Sequence, residues 1–339
     1  MDRTTLSRRS FTKGLAGVGA VALAGLAGCG GEAASGSTGG ASGTTYKIGV
    51  LQLTEHTALD AANDGFVKAL DDSGISYDID QQNAQNDQSA CQTIASTLVN
   101  NGCDLILAIA TPAAQAVAGA TSDIPIVGTA ITDFAASGLV EDNDAPGGNL
   151  TGTSDMNPVA DQIALLQQLL PDAQTVGLLY CTAESNSDIQ VSLAEEALDG
   201  AGIGHERFTV SSSNEIQQVV ESMVGKVDAI YTPTDNTIAA GMTTVAMVAN
   251  ENGLPTICGE VGMVENGGLA SVSINYEELG YRAGEMAVQI LTEGADPAEM
   301  PIETMSADEC DLVYNQQTAD SLGVDVSALA DEGGQDVSA

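Results

Sequence analysis

Carboxylate, amide and hydroxyl side chains collect at a few places in this 339-residue sequence, each directly after a short apolar run. In the first half these are Leu53-Thr54-Glu55-His56, Ala110-Thr111-Pro112-Ala113-Ala114 and Thr129-Ala130-Ile131-Thr132-Asp133. In the second they are Cys181-Thr182-Ala183-Glu184-Ser185-Asn186-Ser187, Thr234-Asp235-Asn236-Thr237 and Gly259-Glu260. Groups of these types suit the capture of a small polar or zwitterionic molecule, because a helix N-terminus accepts a carboxylate and an Asp or Glu accepts an ammonium. The candidate ligand set is Glu55, His56, Thr111, Ala113, Thr132, Asp133, Asn186, Ser187, Asp235, Asn236 and Glu260. Asp235 or Glu260 is assigned to an ammonium; Thr111, Thr132, Asn186 and Ser187, with nearby backbone N–H groups, are assigned to a carboxylate. The same residue types also cap helices: Asp235, Asn236, Asn186 and Ser187 fit that role, Asp133 fits a turn cap, Glu55 a solvated loop and Thr111-Pro112 a helix start.

Patterns for catalysis are missing. No HExxH, G-x-S-x-G, G-x-x-x-x-G-K-[ST] or CxxC pair occurs, and His56 and His205 are the only histidines, so triad, NTPase and zinc chemistries lack their parts. No catalytic residue, metal or cofactor is expected.

These polar clusters need strands and helices to hold them. From Lys47 onward, apolar runs alternate with helical patterns, the sign of βαβ units and a mostly parallel sheet. A first series has strands near Lys47–Leu53, Ser76–Gln81, Leu105–Ala110 and Ile124–Thr129; a second has them near Thr175–Tyr180, Glu206–Val210, Ala229–Thr232, Thr256–Gly259 and Leu269–Ile274. The expected class is α/β, with two doubly wound parallel-sheet lobes whose strand ends face each other across a crevice. A final helix over Glu277–Thr292 crosses back to the first lobe and makes a multi-crossover hinge. Lobe 1 is then 46–153 plus about 277–305, lobe 2 is 154–276 plus about 306–326, and 327–339 is an acidic tail.

Forty-seven Asp and Glu against nine Lys and Arg give a net charge of -38, which excludes nucleic acid or an anionic lipid surface as the electrostatic partner. With 43% hydrophobic residues the chain still folds. Residues 1–28 read as a signal peptide, with Arg3, Arg8, Arg9 and Lys13 ahead of the weakly apolar run Leu15–Ala27. Ser7-Arg8-Arg9-Ser10-Phe11-Thr12-Lys13 resembles a twin-arginine export signal, the alternative being a general secretory signal. Leu26-Ala27-Gly28-Cys29 resembles a lipobox with Cys29 as the lipid attachment. Residues 29–45 then form a flexible Gly/Ser tether. Of the other cysteines, Cys91 and Cys103 flank a helix that holds them about 18 Å apart, and small buried apolar side chains are expected rather than disulfides.

Taken in order, Glu55-His56-Thr57-Ala58-Leu59-Asp60, Asn83-Ala84-Gln85-Asn86-Asp87, Ala110-Thr111-Pro112-Ala113-Ala114-Gln115, Thr129-Ala130-Ile131-Thr132-Asp133, Pro146-Gly147-Gly148-Asn149-Leu150-Thr151-Gly152 and Pro233-Thr234-Asp235-Asn236 resemble one family. It is the tryptophan/tyrosine-type substrate-binding proteins of ABC transporters, and the similarity runs from about Lys47 to Gly323. The resemblance implies a type I periplasmic-binding-protein fold that closes around a ligand and passes it to a membrane permease. Some members bind aromatic amino acids. The sequence departs at Phe134, where the family has Pro after Thr-Asp; Phe134 is either an aromatic wall of the site or a core residue. The expected protein is a monomeric, extracytoplasmic, lipid-anchored receptor of an ABC importer, capturing an amino acid or similar zwitterion. Two rivals are a lipoprotein presenting its ligand to a signalling receptor and a secreted enzyme using Asp or Glu as acid and base.

Overall fold

The computed structural model describes residues 44–338. The signal peptide, Cys29 and nearly all of the expected tether lie outside the described residues. In chain order the first half gives β1 (Thr45–Gln52), α1 (Thr57–Ser73), β2 (Ser76–Asn83), α2 (Gln88–Asn100), β3 (Leu105–Ile109), α3 (Thr111–Ala120), β4 (Ile126–Ile131) and β5 (Leu150–Ser154). There follow α4 (Val159–Leu169), β6 (Thr175–Cys181), α5 (Ser185–Ala201), β7 (Gly204–Val210), α6 (Ile216–Met223), β8 (Ala229–Thr232), α7 (Asn236–Ala240), α8 (Met242–Glu251), β9 (Thr256–Cys258), α9 (Val261–Glu265) and β10 (Ala270–Ser273). The chain closes with α10 (Tyr276–Val288), β11 (Glu303–Thr304), β12 (Asp311–Tyr314), α11 (Gln316–Leu322), α12 (Ser327–Asp331) and β13 (Gln335–Asp336).

Two sheets result. The first runs β11-β5-β4-β3-β1-β2 and is parallel throughout; the second runs β13-β12-β10-β9-β8-β6-β7 and is parallel except for β12 against β10. Strands covered by helices on both faces must be apolar along their whole length. The Leu-Ile-Leu-Ala-Ile of β3 is accordingly buried at every residue, as are all six residues of β4. In both sheets the strand order reverses, between β1 and β3 and between β6 and β8. At such a reversal the loops after neighbouring strands part to opposite faces and leave a crevice at the carboxyl ends.

Three crossovers join the lobes: β5 to α4, β10 to α10 and β11 to β12. The second returns the chain to the first lobe, where α10 lies directly on α1. A Cβ on Gly280 would stand 1.8 Å from the carbonyl oxygen of Ala62, and one on Gly65 would stand 1.9 Å from that of Glu277. Only hydrogen at these two positions lets the helix backbones touch. Because Ala62 meets Gly280 and Phe66 meets Gly284, the helices run parallel and both begin at the crevice.

Four strands escape the periodicity reading. In β5, Thr151-Gly152-Thr153 has no apolar run, yet the strand is fully buried; Gly152 lies so close to Gly128 of β4 that a Cβ would be 1.9 Å from its carbonyl oxygen. Strands β11 and β13 have two residues each, too few for a pattern, and β12 is Asp-Leu-Val-Tyr, a short run that opens on a charge. Residues 327–339, expected as a tail, instead carry α12 and β13; Leu329 is 0% exposed and β13 pairs with β12. The reason is that two apolar side chains, Val326 and Leu329, complete the core of the second lobe. Cys91, Cys103, Cys181 and Cys258 are buried free thiols, and Cys310 is half-buried and free.

Gly280→Ala should lower the thermal midpoint by several degrees, from about 1–3 kcal/mol of overpacking, as read by circular dichroism. Gly119→Ala in α3, where a Cβ meets nothing within 4 Å, should be neutral or stabilising. Equal effects at the two glycines would contradict the close helix contact.

Candidate functional site

A small cavity lies between the two sheets, lined by His56, Ala58, Leu59, Ala130, Thr132, Asp155, Asn186, Thr234, Asp235, Asn236, Ala239, Glu260 and Tyr276. Every lining residue comes from the end of a strand or the first turns of the helix after it. On the first lobe, β1 ends at Gln52, a short turn follows, and α1 opens at His56 without a side-chain cap. The first N–H groups of α1 have no intrahelical acceptor, and its second and third residues, Ala58 and Leu59, stand at the cavity wall. The register of β4 breaks between Gly128 and Ile131, and Ala130 there takes a left-handed φ of 55°. That irregularity turns Ala130 and Thr132 toward the cavity.

Three carboxylates surround the space. Asp155, from the first crossover, accepts from Tyr276 Oη at 2.9 Å and from Thr132 Oγ1 at 3.2 Å. Burial pushes its carboxyl up to about 6. Glu260 caps α9, accepting from the N–H groups of Gly262 and Met263, and burial pushes it up to about 7. Asp235 caps α7 through Ile238 N–H at 2.8 Å, and its second oxygen accepts from Cys181 N–H at 2.6 Å and Ser187 Oγ at 2.7 Å. Burial first, then the charge of Glu184, raises its pKa. No Lys or Arg is among the lining residues, and the ion pairs among the described residues involve Lys68, His205, Arg207 and Arg282, all outside the cavity. The site therefore holds three buried carboxyl groups with no protein cation to stabilise their charged forms.

Acceptors also stand unused. Asn186 gives its amide N–H groups to Thr234 O at 3.2 Å and to Glu184 at 3.4 Å, while its Oδ1 is buried and unpartnered. Asn236 donates from Nδ2 to Glu184 at 2.6 Å, so its Oδ1 faces His56 Nε2 at 3.1 Å. That arrangement places the His56 proton on Nε2 and leaves Nδ1 as a buried lone pair without a donor. Burial lowers the His56 pKa, in keeping with a neutral ring.

Of the residues singled out in the sequence, the structure brings His56, Thr132, Asn186, Asp235, Asn236 and Glu260 to the cavity. It places the others elsewhere. Glu55 is exposed and turns into a separate polar groove with Gln52 and Asp60. Thr111 and Ala113 are buried in α3, away from the cavity. Asp133 serves its own turn, accepting from Ala136 N–H at 3.0 Å and Asn143 Nδ2 at 3.1 Å. Ser187 stands behind Asp235 and donates to it. Phe134 is fully buried in the core beside Gly128 rather than forming a wall. Sequence reasoning missed Ala58, Leu59, Ala130, Asp155, Thr234, Ala239 and Tyr276. Asp155 has one signal in the sequence: it directly follows Gly152-Thr153-Ser154, the polar end of β5.

A family model for ABC transporter substrate binding proteins matches residues 47–331. The chain is 44% identical over 279 residues to a tyrosine-binding protein of Clostridioides difficile strain R20291, covering 81% of this chain and 80% of that one. Among solved structures it is similar to a Streptococcus pneumonia domain in complex with L-Trp, at 42% identity and a TM-score of 0.81 over 85% of this chain and 98% of that one. It is also similar to a ligand-free, open substrate-binding protein with adhesive properties from Clostridium difficile, at 45% identity and a TM-score of 0.64 over 83% and 96%.

The raised carboxyls set a pH dependence. Unfolded, Asp and Glu titrate near pH 4; folded, Asp155 and Glu260 hold their protons to about 6 and about 7, and Asp235 is raised as well. Between those limits the folded chain binds more protons, so stability falls as pH rises. His56, kept neutral by burial, opposes this below its unfolded pKa, one group against three. The thermal midpoint of ligand-free protein should drop between pH 5 and 7.5, and Asp155→Asn should flatten the slope. A midpoint rising across this range would show that the carboxylates are ionised and paired.

Proposed function

This chain belongs to the ABC transporter substrate-binding protein family, a family of extracytoplasmic receptors that bind without catalysing, and from that membership we propose that it captures L-tryptophan or L-tyrosine for an ABC importer. The observation that carries this reading is the charge layout of the closed cavity. Asp155 and Glu260 lie unpaired with any protein cation, and the uncapped N-terminus of α1 opens at Ala58 and Leu59. A free amino acid supplies both missing partners: its ammonium takes the carboxylates and its carboxylate takes the N–H groups of α1. Leu59, Ala58, Ala130, Ala239 and the ring of Tyr276 are the apolar surfaces left for an aromatic side chain.

Lobe closure is the working step. At nearly equal identity, the TM-score is 0.81 to the L-Trp complex and 0.64 to the open, ligand-free protein, which supports reading the present arrangement as the closed one. Ligand bridging both lobes favours that state by its differential affinity for it. The permease then meets a closed receptor and receives the amino acid as the lobes part. For the receptor to stay at the membrane, residues 1–28 direct export through a twin-arginine route and Cys29 carries the lipid, two or more acyl chains giving stable anchorage.

Calorimetry against the twenty amino acids should give its tightest binding with tryptophan or tyrosine, at micromolar affinity or better, about -8 kcal/mol. Asp155→Asn should weaken that binding at least about tenfold by removing a charge-assisted contact. Heat with neither amino acid, or an indifferent Asp155→Asn, would overturn the assignment. Separately, Cys29→Ala should remove metabolic acyl label and shift the protein from the membrane to the soluble fraction; label retained by the variant would place the anchor elsewhere.

A further inference from the structure

Among the described residues, and apart from bonds made by the crossovers, four hydrogen bonds join the lobes. Two involve cavity residues, His56 with Asn236 and Gln190 with Thr132. The other two, Asn86 Nδ2 to Thr237 Oγ1 at 2.9 Å and Gln88 Nε2 to Ala183 O at 3.3 Å, lie outside the cavity. They span a second interlobe groove of about 390 Å³, whose walls include Leu53, Pro112, Cys181 and Ser212. Across an open groove these bonds are not a by-product of packed surfaces, and the residues making them are held in place at some conformational cost.

On the first lobe, Gln85 and Asn86 are consecutive non-glycine residues in the left-handed region, with φ of 52° and 60°. Their loop is fixed to the sheet by Ala84 N–H on Gln52 O at 2.9 Å and Asn86 N–H on Leu53 O at 2.8 Å. Asp87 then caps α2 through Ser89 and Ala90. The backbone is thus fully occupied within its own lobe, and the Asn86 amide is left to reach across. On the second lobe, Glu184 is 3% exposed and accepts from Thr237 Oγ1 at 2.8 Å and Thr237 N–H at 2.9 Å. Its other oxygen accepts from Asn236. One buried carboxylate therefore fixes where the Thr237 hydroxyl proton points, so that its lone pair faces Asn86.

We propose that Asn86 and Thr237 form a latch that holds the lobes shut and sets how long ligand stays bound, with Glu184 as its positioning residue. The proposal rests on the capture of an aromatic amino acid in the neighbouring cavity, which neither latch residue lines. The latch adds to the free energy of the closed state alone, so its removal accelerates opening and leaves the encounter of ligand with the open receptor unchanged.

Asn86→Gly tests it, since glycine keeps the left-handed backbone and deletes only the amide. Thr237→Val deletes the acceptor together with the hydroxyl's bond to Glu184, and Thr237→Ser retains both. In stopped-flow with L-tyrosine and L-tryptophan, Asn86→Gly and Thr237→Val should each release ligand roughly three- to tenfold faster, with association changed less than about twofold. The double variant should be no faster than the worse single one, and Thr237→Ser should match wild type. Wild-type release in Asn86→Gly, or losses that add in the double variant, would overturn the latch. Should wild type bind neither amino acid, the capture reading fails, and small-angle scattering decides the latch: ligand-free Asn86→Gly must have a larger radius of gyration than wild type, and identical curves would overturn it.

Discussion

The backbone contact of α1 with α10 is the constraint on which the remaining geometry depends. The chain reaches α10 from β10 in the second sheet, and Gly65 and Gly280 bring it against the first helix of the other sheet without an intervening side chain. The parallel crossing puts the start of α10, Tyr276, beside the start of α1, and the cavity forms where the two begin. Substitution of either glycine would push the helices apart and move two walls of the cavity at once.

From this placement, hinge and cavity share residues. Tyr276 Oη donates to Asp155 on the first crossover at 2.9 Å, and Asn157 on that same crossover accepts from Ile274 N–H at 3.0 Å on the second. A cation that binds Asp155 therefore acts on a group already engaged by the hinge. In the proposed capture, ligand charge and lobe angle would be coupled through this one carboxylate.

The sequence makes the architecture legible wherever burial on both faces demands unbroken apolar strands, as in β3, β4 and β8. It is silent where burial is achieved by absence of side chain, as at Gly152 in β5, and so Asp155 at the end of that strand went unseen. For the site, capping and a place at the cavity are compatible: Asp235 and Glu260 each cap a short helix and line the cavity. Asp133, a carboxylate of the same kind, and the hydroxyl of Ser187 serve only their neighbours. What separates these cases is which way a loop turns after its strand, and that depends on the opposing lobe rather than on local sequence.

The four outermost strands bear on life in a crowd. An unpaired strand offers its free N–H and C=O groups to any similar strand nearby, and copies gathered on one surface would zip together through them. Here two of those margins, β11 and β13, are only two residues long and each carries an acid, Glu303 and Asp336. The longer ones carry charge along their length: Asp78 and Asp80 in β2, and Glu206 and Arg207 in β7. Neighbouring molecules thus meet borders that are short or carry charged side chains, and each such border disfavours strand addition.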